Sequence, residues 1–236
     1  MRSAMNCTFS SGAIDVSRGL KSELRQIAPP RLWLLLREVR RNARLLKYRA
    51  IGRPRYFGET SKARGRRMRE DFFSKYCVGR GLDIGYGGDL LSDNCMGWDF
   101  EHGDAQLLEG ISDQTIDFVY SSHVLEHVED ACEALRNWYR VVRPGGYLIL
   151  FVPDRDLYEK KLRLPSRWNP DHKRFFLLDR DELPDTFGLL PMIDRVIADA
   201  QIVSARQCSE GHTISDANLH SDGEYSLEVI VRKPVA

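Results

Sequence analysis

From residue 80 onward short apolar runs alternate with segments of helical period, and this alternation limits the fold more than any other feature of the chain. GLDIGY (81–86), TIDFVYSS (115–122) and GYLILFVP (146–153) read as strands, CMGWDF (95–100) as a shorter one, and residues 201–208 and EYSLEVIVRK (224–233) as two more. Residues 179–200 read as an interrupted helical stretch. Between the second and third clear strands, Asp130 and Glu133 form a D-x-x-E box that caps a helix with Ala131, Ala134, Leu135, Trp138 and Val142 on its buried face. Pro144-Gly145-Gly146 is expected to stop that helix and turn the chain back into the sheet. Strands joined by helical crossovers give a parallel sheet of β-α-β units, and 236 residues suffice for one such domain with an appendage.

The charge is unevenly distributed. Residues 1–80 hold 20 Lys and Arg against 6 Asp and Glu, and the remainder carries 15 against 28. A basic arm of this kind points to an acidic counterpart, which is a membrane surface, a nucleic acid or the protein's own acidic body. RLWLLLREVRRNARLLKYRA (31–50) places apolar residues at 32, 35, 36, 39, 43, 45 and 46 between basic ones, as in a basic amphipathic helix. It either packs on the domain with its charge in water or lies on a membrane surface. Residues 51–65, with Gly52, Pro54, Gly58 and Gly65, read as a linker, and a second basic helix spans about 62–77. Residues 1–65 are thus expected to be a basic extension and 66–236 the domain proper. The opening lacks a signal-peptide core, no apolar run approaches the ~20 residues of a spanning helix, and the five cysteines form no C-x-x-C pair. A reducing cytoplasm is the expected compartment, with 31–50 as the segment for any peripheral membrane contact.

GLDIGYGGD puts a glycine-rich turn directly after a strand, where ligands sit in open α/β sheets. Gly85, Gly87 and Gly88 let a cofactor lie against the backbone, although glycines after a strand often serve only the turn. The dinucleotide fingerprint G-x-G-x-x-G fails because its last glycine falls on Leu90. Only about eight residues then precede CMGWDF, too few for the dozen or more of a full crossover helix, so no long helix N-terminus is offered to a pyrophosphate.

GLDIGYGGD, GWDF, GDAQLL, TIDFVYSSHVLEHVED and RVVRPGGYLILFVPD, in this order over residues 70–155, resemble the class I S-adenosylmethionine-dependent methyltransferases, particularly the subgroup acting on small molecules. The resemblance implies a Rossmann-like, doubly wound and mostly parallel seven-stranded sheet with EYSLEVIVRK inserted antiparallel. It implies S-adenosylmethionine as cofactor, with Asp83, Gly85, Tyr86, Gly87 and Gly88 at its methionine end and Asp99 accepting from the ribose hydroxyls. Asp104 would accept from the adenine amino group, Ala105 would lie beside the ring, and Ser122 would face the cofactor at the end of the family's fourth strand. Carboxylates hold a diol bidentately and suit a cationic sulfonium. Asp99 and Asp104 stand only five residues apart, where the family usually fits a helix and a strand.

His123, Glu126 and His127 follow that fourth strand and are candidates for lining the site; His127 reads equally well as the start of the next turn. PDRDLYEKKLRLPSRWNPDHKRFF (153–176), polar and irregular, reads as a substrate loop or lid, with a solvated loop as the alternative. Within it His172 is the leading candidate for a general base, with Glu126 and His123 behind it. His212 and His220 are too isolated to form a metal site, and no catalytic metal is expected. The expected activity is methyl transfer to a small-molecule or glycan-type acceptor, with no nucleic-acid partner. The rivals are a nucleotide-dependent oxidoreductase or sugar-modifying enzyme on a similar sheet, and a non-catalytic binding protein with a decayed cofactor site.

Overall fold

The computed structural model describes residues 58–235; segment 31–50 and the first part of the linker lie outside the described residues. Strands β1 (Gly81–Ile84), β2 (Cys95–Trp98), β3 (Ile116–Ser122), β4 (Val142–Pro153), β7 (Gln201–Cys208) and β8 (Ser226–Arg232) form one sheet in the order β2-β1-β3-β4-β8-β7. The first four are parallel, and β8 is inserted antiparallel between β4 and β7. A small parallel pair, β5 (Phe175–Leu177) with β6 (Thr186–Gly188), forms a second sheet that meets the end of β4 through the Asp154–Phe176 bridge. Because β2 and β3 flank β1 on opposite sides, the winding reverses between β1 and β3, and a crevice opens beyond their carboxyl ends.

Apolar clusters cover both faces of the sheet. On one, helices α4 (Ala131–Val141) and α5 (Leu189–Val196) pack Leu135, Trp138, Met192 and Ile193 against β1, β3, β4 and β8. On the other lie three short helices, α1 (Glu59–Lys62), α2 (Arg64–Arg69) and α3 (Phe72–Tyr76), where the sequence suggests one; Asp71, with φ 58°, breaks the run before α3. The acidic counterpart of this basic segment is the protein itself. Arg66 Nη2 lies 2.9 Å from Glu224, and fully buried Arg67 donates from Nε to Glu228 at 2.8 Å and from Nη1 to the Tyr120 hydroxyl at 3.0 Å.

Helix α4 begins at the expected cap, with Asp130 Oδ1 accepting from Cys132 N at 2.8 Å and Glu133 N at 3.0 Å. The return arm of the box comes from outside the helix: Gln106 Oε1 accepts from Asp130 N at 2.8 Å while Gln106 Nε2 donates to Glu133. The helix stops earlier than Pro144-Gly145-Gly146 suggests. Val142 is already extended, with ψ 131°, and those three residues run inside β4. The clash of a proline ring with the preceding backbone, which disfavours helix at Arg143, accounts for the early break.

The sheet has six strands among the described residues, one fewer than expected. Residues 99–115, where the family's additional strand would lie, run as turns with Leu108 at φ 50°. Side chains of α4 satisfy carbonyls that a ladder would otherwise occupy: Trp138 Nε1 donates to Ala105 O at 2.7 Å, Asn137 to Gln106 O at 3.1 Å and Arg140 to Ile111 O at 3.0 Å.

Candidate active site

The turn after β1 is built to bring backbone, not side chains, to the crevice. Gly85, Gly87 and Gly88 have φ of 71°, 57° and 90°, a left-handed run that only glycine adopts without strain. A Cβ on Gly85 would lie 2.2 Å from Val124 Cγ2, so this backbone is pressed against the segment that follows β3. Asp83 is fully buried beneath the turn, where Oδ2 accepts from Leu91 N at 2.7 Å and Oδ1 has no partner. Burial pushes its carboxyl up to about 8.

Asp99 follows β2 directly and faces the same turn. Its Oδ2 accepts from Gly87 N at 3.2 Å and its Oδ1 from Phe100 N at 2.9 Å. The Tyr86 ring lies over Gly97, where an added Cβ would come within 2.6 Å of it. Asp104 is exposed and closes a local turn by accepting from Gln106 N at 2.7 Å, and Ala105 is anchored through its carbonyl to Trp138. Ser122 ends β3 on the crevice side of the sheet. The donor set fits an adenosyl-amino-acid cofactor, with a glycine cradle that a Cβ would fill and a carboxylate at the end of the neighbouring strand.

Beyond Val124 the chain turns through Leu125, Glu126 and His127. Glu126 is fully buried and neither carboxylate oxygen has a hydrogen-bond partner. Three imidazoles surround it: His123 Nδ1, His127 Nε2 and His172 Nε2 each lie 3.8 Å from Oε1. His172 is 3% exposed and donates from Nδ1 to Glu159 Oε1 at 2.8 Å. Glu159, itself buried, also accepts from Ser166 Oγ at 2.6 Å. His127 donates from Nδ1 to the Asp171 carbonyl at 3.2 Å and remains 31% exposed. His123 adopts φ 54° and contacts Ser226 Oγ through Nε2 at 2.9 Å; burial pushes its imidazole down to about 4.

The two ends of the 153–176 segment form a packed wall, whereas 161–171 between them is exposed or half-buried apart from Ser166. Arg155, Tyr158, Glu159, Ser166, His172 and Arg174 are all buried. Arg174 donates to the carbonyls of Leu125 and Val128, both at 2.7 Å, and thereby holds the turn that carries Glu126. Lys160 donates to the Ile214 carbonyl at 2.6 Å, and Arg155 to Glu182 at 2.5 Å. The cations that make this segment look basic are thus engaged with the protein. The fold brings Glu126, His123 and His172 together, as it does Asp99 and the glycine turn. Glu159 has no mark in the sequence: it is aimed by the single π-helical turn Arg155–Glu159, which no periodicity announces.

Residues 82–150, from β1 through most of β4, match the family of methyltransferase domains. This match, together with the first relative below, supports a class I S-adenosylmethionine-dependent methyltransferase domain over these residues. S-adenosylmethionine is the cofactor that this methyltransferase domain implies. The chain is 28% identical over 123 residues to a protein of Mycolicibacterium smegmatis named as a probable S-adenosylmethionine-dependent methyltransferase, covering 42% of this chain and 47% of that one. It is 38% identical over 65 residues to an uncharacterized 37.1 kDa protein of transposon TN4556 from Streptomyces fradiae, covering 28% of this chain and 19% of that one. The matches therefore span about half and about a fifth of these relatives' lengths. Among solved structures, the chain is similar to the [4+2]-cyclase SpnF, with a TM-score of 0.47, 14% identity and coverage of 75% and 82% of the two chains. It is also similar to the N-methyltransferase NodS of Bradyrhizobium japonicum WM9, with a TM-score of 0.44, 17% identity and coverage of 73% and 97%. No helix among the described residues is long and apolar enough to cross a membrane.

Proposed function

We propose that the protein transfers the methyl group of S-adenosylmethionine to a hydroxyl of a small-molecule or glycan-type acceptor held against Glu126, His127 and His172. One observation carries this reading: Val124 touches the glycine turn on one side and leads within two residues to the buried Glu126 on the other. The place where the cofactor rests and the place where a proton can be taken are therefore adjacent.

The bound cofactor supplies a methyl group already activated on a cationic sulfur. What remains for the protein is alignment and, for a hydroxyl acceptor, removal of a proton. Gly85 to Gly88 hold the amino-acid portion, Asp99 accepts from the ribose hydroxyls, and Asp104 and Ala105 take the adenine edge. Glu159 fixes the His172 ring by accepting at Nδ1, so that Nε2 presents its lone pair toward Glu126. Because Arg155, Lys160 and Arg174 are engaged internally, the wall suits a neutral, hydroxyl-bearing acceptor better than a polyanion. Trp168, half-buried beside His220, adds an aromatic face on which a sugar or aromatic ring can pack, with Tyr158 and Tyr225 buried behind it.

Calorimetry with S-adenosylhomocysteine, NAD and nucleotide sugars tests the cofactor assignment, and only the first should bind. Asp99→Ala should weaken that binding by about 1–3 kcal/mol, the cost of leaving charge-assisted hydrogen bonds unmade; unchanged affinity would remove Asp99 from the ribose site. Transfer of labelled methyl to a panel of hydroxylated small molecules and oligosaccharides tests the acceptor class. With a positive acceptor, His172→Asn should lower turnover about 10²-fold while cofactor affinity holds. Turnover within a few-fold of the parent would place proton removal elsewhere.

A further inference from the structure

We infer that Glu126, His127 and His172 form a binding site for one divalent transition-metal ion of the zinc type, with a fourth position open toward the acceptor. The inference deepens the reading of this cluster as the acceptor site and rests on it only for the metal's role, not for its binding.

Both oxygens of fully buried Glu126 are unpartnered, and at 3.8 Å none of the surrounding imidazole nitrogens is close enough to donate to them. A buried carboxylate in that state is costly unless something positive lies beside it. The tautomers of two rings are set from behind. His172 Nδ1 must carry the proton it donates to Glu159, and His127 Nδ1 the proton it donates to the Asp171 carbonyl. In the neutral rings both Nε2 atoms are then acceptors, so three acceptors converge on one point, with the ligand atoms all within 4.8 Å of one another. A cation is what such a point lacks.

The outer arrangement is the one that metal-binding histidines need. A ligating imidazole characteristically donates its other N–H to a carboxylate or a backbone carbonyl, which fixes the ring and raises its basicity. His172 has the carboxylate, locked in turn by Ser166 Oγ at 2.6 Å, and His127 has the carbonyl. Two imidazoles and a carboxylate favour zinc over magnesium or calcium, which prefer oxygen. A tetrahedral zinc, with bonds of about 2.0–2.2 Å, places its ligands about 3.3–3.5 Å apart. The cluster reaches that spacing if each side chain moves by less than about 1 Å. Asn169, whose Nδ2 stands 3.5 Å from His127 Nε2, is a long contact that gives way in that movement. With three protein ligands the ion keeps an open coordination position, and the partial exposure of His127 puts it on the accessible side, where a water or an acceptor oxygen can enter. In the zinc-bound form His172 acts as a ligand in place of the base role proposed for the metal-free cluster, so turnover lost in His172→Asn is accompanied there by loss of zinc. The histidines lie 45 residues apart in sequence, which is why no spacing motif marks the site.

The test is titration of metal-stripped full-length protein with Zn2+ by calorimetry, with Co2+ as a spectroscopic substitute and excess Mg2+ as competitor. One zinc per chain should bind, unaffected by Mg2+, and Co2+ should give the visible absorption of a four-coordinate site. His127→Ala, at the exposed member, should abolish saturable binding, and Glu159→Gln, which touches no metal, should weaken it about 10- to 100-fold. Glu126→Gln supplies a readout of opposite sign. The metal-free variant should melt no lower than the parent, because an unpartnered buried charge is gone, while the rise in melting temperature on adding Zn2+ disappears. Absence of zinc binding, or zinc binding unchanged in His127→Ala and Glu126→Gln, overturns the proposal and returns the cluster to proton chemistry. S-adenosylhomocysteine is titrated in parallel. Zinc binding without cofactor binding supports this site while removing methyl transfer, and cofactor binding without zinc removes this site alone.

Discussion

Replacing Glu228 with leucine is expected to cost about 3–5 kcal/mol of folding stability, the usual penalty for stranding a buried charge. Glu228 is fully buried on β8 and accepts from Arg67 Nε at 2.8 Å, from Arg66 Nη1 at 3.0 Å and from Arg206 Nη2 at 2.7 Å. Arg67 has 0% exposure and lies against the rings of Phe72, Tyr120 and Phe151 at 4.9, 5.0 and 4.6 Å, so it cannot turn to water when its carboxylate is lost. At the usual 2–4 °C per kcal/mol for a chain of this size, the melting temperature should fall by roughly 6–20 °C. The double variant Arg67→Met, Glu228→Leu should recover most of that loss, because a buried pair replaced by apolar residues of similar size is often neutral. A double variant no more stable than Glu228→Leu alone would show that the pair is not the source of the penalty.

The same residue sets an acid limb. Burial would raise the Glu228 carboxyl, but the guanidiniums of Arg67 and Arg66 outweigh burial and hold it down at about 2, below its ordinary 4.5. A carboxyl depressed on folding contributes stability that is complete above about 4.5 and is lost as pH falls toward 2. His123, pushed down to about 4 by burial, acts in a higher window: stability declines as pH falls from 6.5 toward 4, because only the unfolded chain takes the proton there. The resistance of the parent to denaturation should thus weaken in two stages on acidification, and the lower stage should be missing from the double variant.

What the sequence made legible is what periodicity and local chemistry encode. Alternation of apolar runs located β1, β3, β4, β7 and β8, and Asp130 announced α4 because an N-cap acts over two or three residues. The glycine turn and Asp99 could be brought together because they close two adjacent parallel strands, Ile84 pairing with Trp98. Interactions that join distant residues through side chains were not legible. Gln106 supplies the missing arm of the capping box from 24 residues away, and Glu159 orients His172 from a π-turn. The polar, irregular pattern of 153–176 reads as a substrate loop or lid, and charge alone does not reveal that Arg174 ends on the carbonyls of Leu125 and Val128. The count of strands differed for a related reason: the side chains of Trp138, Asn137 and Arg140 replace the ladder that would have made another strand worth forming.

Gly85→Val should eliminate cofactor binding, measured as the increment in melting temperature on adding S-adenosylhomocysteine. For the parent, ligand at 100 times its dissociation constant stabilises the fold by about 2.7 kcal/mol, which corresponds to roughly 5–11 °C. Two separate effects act on the variant. Valine at φ 71° is strained by about 1–3 kcal/mol, and its Cβ would lie 2.2 Å from Val124 Cγ2, so the turn or the segment after β3 must move. The strain lowers the melting temperature of the free protein, whereas the displacement of the cradle removes the response to ligand, and only the second bears on the site. Gly110→Ala separates them. Gly110 also has a positive φ, 85°, but nothing lies within 4 Å of a Cβ placed there. Its variant should show a lowered melting temperature from the same kind of strain and keep the full increment with S-adenosylhomocysteine. If Gly85→Val retained the increment as well, the cofactor would not lie against this turn, and the crevice between β1 and β3 would have to serve another ligand.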